Sequence, residues 1–137
     1  MRGRSEFIAS LIGEQWAWQS RNCWDFAVYV QREIFDRDLP GVIVPSECRK
    51  RWVLEAIENH PERAEWREVC MGPHDIVTAC DGALVLMAHL KAPAHIGIWL
   101  KPEAQIIHCS EQHGVCLETV MALKQMGWRK MTFYEPK

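Results

Sequence analysis

A cysteine and two histidines are the residues of this sequence best placed to do chemistry. Cys23 stands in NCWDFAVYVQ (22–31), at the head of an apolar run with helical spacing. His95 and His108 bracket HIGIWLKPEAQIIH (95–108), two short apolar stretches joined by a turn around Lys101 and Pro102. A free thiol, with a pKa of about 8.5, is mostly protonated at neutral pH, and the thiolate is the nucleophile. A helix start carries partial positive charge and favours that anion. A nearby imidazole can take the thiol proton and later give it to a leaving amine. A second polar group can hold that imidazole in the right tautomer. Cys23, His95 and His108 suit these three roles in that order. The backbone N–H of Cys23, without an intrahelical partner, suits an oxyanion.

The elements that must position these groups follow from periodicity. Phe26, Ala27, Val30, Ile34 and Phe35 recur at three- and four-residue spacing and predict a helix over 23–36, stopped by DRDLPG. Phe7, Ile8, Leu11 and Ile12 share one face of a short amphipathic helix that Gly13 ends. Ser46 is a suitable N-cap for a second long helix over 46–59, and a helical turn is expected over 64–69. Short apolar runs then predict strands over 83–90, 95–100, 104–109 and 114–118. A helix over 118–127, closed by Gly127, and a strand over 128–134 complete the chain. Helices first and a small antiparallel sheet after them read as α+β. A four-residue loop over 100–103 would pair Trp99 with Ala104 and set His95 directly opposite His108, with Cβ atoms about 5 Å apart.

The chain's 137 residues suit one domain spanning 1–137. A net charge of -2 argues against nucleic acid as the main partner. No apolar run reaches the length of a membrane span, and the N-terminus does not read as a signal peptide, so synthesis in the cytoplasm is expected. The six cysteines are expected to be reduced, and most of them to act as small buried hydrophobes. Zinc is the metal alternative, since Cys70, His74, Cys80, His108, Cys109, His113 and Cys116 are all possible ligands; no CxxC pair or familiar quartet spacing supports it, so no metal is expected. His60, His74 and His89 read as surface or turn residues, and Trp52, Trp66 and Trp128 as core or surface filler. Trp16, Trp18 and Trp24 flank the thiol; packing is the ordinary role for such residues, and the alternative is that they wall a substrate groove beside Asn22.

IGEQWAWQSRNCWDFAVYVQREIFDRDLPG (12–41) resembles the nucleophile region of NlpC-family cell-wall cysteine peptidases, and DGALVLMAHLKAPAHIGIWLKPEAQIIHCSEQHGVCLETV (81–120) resembles their second half. The ending GWRKMTFYEP resembles the short phage-tail-associated members. The resemblance implies a papain-like α+β core, with N-terminal helices on a small antiparallel sheet and no cofactor. It implies Cys23 as nucleophile, His95 as general base and His108 as its orienting residue. The implied activity is hydrolysis of peptidoglycan stem peptides, often at the D-glutamyl–diaminopimelate bond, and the implied setting is a phage tail near tail-tip proteins. Asn22 replaces the family's usual Asp, Asp25 stands where Gly is common, and Asp81-Gly82 inverts the usual order. Two other classes stay open, the first of them motivated by Asn22 and Asp25. One is a structural tail protein with weak or no activity. The other is a related thiol amidase or acyltransferase.

Overall fold

The computed structural model describes residues 3–18, 21–39, 65–90 and 94–137. The expected helix over 46–59 lies outside the described residues. The described elements are α1 (Arg4–Leu11), α2 (Cys23–Phe35), β1 (Trp66–Val69), β2 (Leu84–Ala88), β3 (His95–Leu100), β4 (Gln105–Ser110), β5 (Gly114–Glu118), α3 (Val120–Gln125) and β6 (Lys130–Pro136). The strands form one antiparallel sheet in the order β1-β6-β2-β3-β4-β5.

The sheet is covered on both sides. Period-two alternation sends Ile96, Ile98 and Leu100 of β3 to one face, where Ile8 and Leu11 of α1 and Phe26, Ala27 and Val30 of α2 meet them. Trp99 and its neighbours Val85, Met87, Ile106 and Phe133 point to the other face, where Val120 and Leu123 of α3 pack. Both expected N-terminal helices are present with these core faces. Ile12, expected to share the apolar face of α1, is instead 45% exposed, because the helix ends before it and the chain turns at Gly13.

Two expectations are corrected. The segment expected as a helical turn over 64–69 holds the edge strand β1, paired with β6 from Trp66↔Pro136 to Val69↔Phe133 and tied by Arg67 donating to Glu135 at 2.8 Å. The four residues Trp-Arg-Glu-Val gain more from a ladder and one buried aromatic than an isolated helical turn could offer. The last strand begins at Lys130, so Trp128 belongs to the connection from α3.

The β3–β4 hairpin is also shifted. Its loop is 101–104, with Ala104 in the left-handed region at φ 54 and its N–H donating to Lys101 O, so Leu100 pairs with Gln105 and Gly97 faces His108. His95 therefore lies diagonal to His108, not directly opposite. A slip of two positions keeps both side chains on the same face, where a slip of one would have separated them. α1 holds this turn: Arg4 donates to Asp81 at 2.8 Å and to Glu103 at 3.0 Å, and Asp81 accepts from the Lys101 N–H at 2.9 Å.

The segment after α1 closes the far edge of the sheet. Gly13 N–H donates to Val115 O, and Val115 N–H donates to Glu14 O at 2.9 Å. Gly114 has φ +71, and a Cβ there would lie 2.1 Å from Glu14 O. That oxygen is backbone, held by the same ladder, and cannot swing aside. Gly114→Ala is expected to cost about 3 kcal/mol or more, from left-handed strain plus the lost pairing. Thermal unfolding should show a drop of roughly 10 °C; a shift of a degree or two would mean the pairing is not needed.

Candidate active site

Asn22 caps α2. Its Oδ1 accepts from the Asp25 N–H at 2.8 Å, and its Nδ2 donates to Trp18 O at 2.7 Å. Asn22 was expected beside a substrate groove; it is 5% exposed and both amide atoms are bound inside the chain. Its cap makes Cys23 the first residue of the helix, where N–H groups lack helical partners.

Pairing of β3 with β4 stops at Gly97↔His108, although both strands continue. The Ile96 N–H, at the first position beyond that pairing, favours the Cys23 thiolate, as do the N–H groups of Trp24 and of Cys23 itself. The α2 start is thus set against the backbone of the residue that follows His95. Cys109, on the continuation of β4, donates its thiol to Arg21 O at 3.4 Å and fastens the strand to the same place.

Burial nonetheless pushes the Cys23 thiol up to about 12, outweighing the three N–H groups, with Cys109 adding slightly in the same direction. The resting thiol is neutral.

His95 and His108, on the face that carries α3, are joined by a 2.9 Å hydrogen bond between Nε2 of His95 and Nδ1 of His108. Their rings meet edge to face at 86° with centroids 5.0 Å apart. Burial holds His95 down to about 3, helped by His108 and then His89. Burial likewise holds His108 down to about 4, with His113 adding to it. Both imidazoles are neutral at physiological pH. When His95 donates its Nε2–H to His108, its Nδ1 keeps a lone pair free to accept a proton. His108 Nε2 is buried and has no hydrogen-bond partner among the described residues.

Trp16 and Trp18 are half-buried and tilted against each other with centroids 6.1 Å apart. Trp24 is half-buried against the core that α2 shares with the sheet, and Trp16 packs there as well. Among the five described cysteines, all free, only Cys109 is buried, so the expectation of mostly buried thiols is corrected. No cluster of three or more His, Cys, Asp or Glu suited to a metal occurs among the described residues.

No family model matches the sequence, and no curated protein matches it. A comparison of folds does find a match. The NlpC/p60 domain of the peptidoglycan hydrolase SagA superposes with a TM-score of 0.55 at 17% identity, over 94% of this chain and 93% of that domain. The chain has the NlpC/p60 fold. The papain-like α+β architecture expected from the sequence is therefore present.

Within this NlpC/p60 fold, two residues near the histidines escaped sequence reasoning. The Trp128 ring lies nearly parallel to His95, 19° apart with centroids at 5.3 Å, and His89 stacks on Trp128 at 3.8 Å. Both had been read as filler or surface. A Gly-Trp pair after an apolar helix signals a helix stop, but nothing in local sequence says what the Trp will meet.

Proposed function

We propose that the protein is a cysteine peptidase acting on peptidoglycan stem peptides. The observation that supports this reading is the buried His95–His108 hydrogen bond, on a strand whose Ile96 N–H, one residue after His95, favours the thiolate of Cys23 at the start of α2.

In this reading Cys23 is the nucleophile, His95 the general base and His108 its orienting partner. As the sulfur attacks an amide carbonyl, its proton passes to Nδ1 of His95. The new oxyanion is met by the Cys23 N–H. The C–N bond breaks as His95 returns the proton to the amine, leaving a thioester. Water, deprotonated by His95, then releases the acid and restores the thiol. Because both partners rest neutral, proton transfer accompanies attack and no ion pair is stored beforehand. No cofactor takes part. Trp16, Trp18 and Trp24 supply aromatic surface on the approach to Cys23, while Asn22 serves substrate binding only through its cap.

The finer parts rest on the sequence resemblance. The bond cut is of the D-glutamyl–diaminopimelate type, and the protein works at the bacterial wall from a phage tail beside tail-tip proteins. Digestion of purified diaminopimelate-type sacculi, with fragments read by mass spectrometry, tests this directly. A stem-peptide fragment with a new free amine is expected. Intact stem peptides with selective iodoacetamide labelling of Cys23 would favour a different acyl substrate, as for an amidase or acyltransferase.

The neutral thiol, pushed up to about 12 by desolvation, favours a second reading, a weakly active or inactive structural tail protein. Equal, slow labelling of Cys23 and the other cysteines, with no cleavage, would select it.

A further inference from the structure

The geometry points to Trp128, pinned by His89, as a positioning residue for His95; this rests on the reading of His95 as general base. One hydrogen bond, to His108, leaves the His95 ring free to turn about that bond's axis, and a flat partner on its face removes that freedom. Trp128 is that partner, nearly parallel to the ring.

The helix end builds the placement. α3 closes in a Schellman turn: Gly127 N–H donates to Lys124 O and Trp128 N–H donates to Leu123 O, both at 3.0 Å. The turn needs Gly127 at φ +102, which side-chain-bearing residues rarely adopt. It aims Trp128 back over the sheet and leaves the Gly127 carbonyl outward. The exposed His89, just past the end of β2, uses that carbonyl, its Nδ1–H donating to Gly127 O at 2.8 Å while its ring covers Trp128. A hydrogen bond and a stack thus lock one indole from two directions, and the indole lies on His95.

The consequence is a fixed His95 ring plane and a single tautomer, Nε2–H to His108. Ring ¹⁵N and C2–H spectra of histidine-labelled protein at pH 7 read this without any substrate. Wild type and Trp128→Phe, which keeps a flat face, are expected to show one His95 tautomer. Trp128→Leu and His89→Ala are expected to show averaged His95 signals. Iodoacetamide alkylation of Cys23 should slow about tenfold in the same two variants, as expected when a base loses its orientation. On sacculi, kcat should fall by a similar factor with KM unchanged.

Unchanged His95 signals in both variants would overturn the proposal, and so would a lowered Tm accompanied by an unaltered His95 spectrum. If Trp128→Leu does not fold, the exposed His89→Ala decides alone. Should the wild-type protein cleave no sacculi, the peptidase reading fails separately while the spectra still test the positioning.

Discussion

Cys23→Ala is expected to abolish stem-peptide cleavage, a loss on the order of 10⁵-fold, because in the proposed mechanism the thioester forms on Cys23. Digestion of sacculi by matched wild type and variant checks this. Cys23→Ser is expected to be equally inactive: a hydroxyl is a far weaker acid than a thiol, and a His95 held down to about 3 is a weak base for it. Both variants should melt close to wild type, since the thiol spends no strong bond on the fold. The pH dependence of Cys23 alkylation separates two arrangements. With the thiol pushed up to about 12, the rate should keep rising between pH 6 and 10. A stored thiolate–imidazolium pair would instead give a plateau starting in acid. Residual cleavage by Cys23→Ala above a thousandth of wild type would exclude Cys23 as nucleophile.

Stability is expected to fall steeply as pH drops from about 6.5 toward 4. In the unfolded chain His95 and His108 protonate near pH 6.5. In the folded chain burial holds them down to about 3 and about 4. Across that window the unfolded state binds more protons, so its relative free energy falls with each added proton. Each histidine contributes a slope on the order of 1.4 kcal/mol per pH unit, and the pair loses several kcal/mol, a large share of a typical domain's stability. Urea midpoints between pH 7 and 4 measure it. His108→Gln keeps an acceptor for His95 and should roughly halve the slope. Asp81, held below the ordinary carboxylate range by Arg4, loses its contribution only below about pH 4 and so stays outside this window. A flat midpoint from pH 7 to 5 would mean the pair is hydrated and not buried.

Much of this was legible from residue order. The α2 start was readable because Asn before an apolar 3.6-residue repeat is a capping signal with a local cause. The strands containing His95 and His108 were readable from apolar runs bounded by turn residues. Their shared face survived a wrong loop register because strand alternation has period two. β1 was misread because an edge strand of four residues takes its stability from β6, nearly seventy positions away along the chain. Trp128 packs against the core as expected, but its contact with His95 was not legible, because His95 on β3 and His89 just past β2 are distant in the chain.

By itself the sequence determined the parts and their local settings: a thiol at a capped helix start, two imidazoles on one sheet face, and a Gly that ends α3. Those features depend on backbone preference and periodicity within a few residues. Tertiary structure alone decided the rest. It ended the β3–β4 ladder at Gly97 and set the Ile96 N–H to favour the Cys23 thiolate. It buried both imidazoles enough to keep them neutral, and it laid Trp128 on His95. Desolvation and ring contact depend on which distant segments meet, and only packing of the whole sheet sets that.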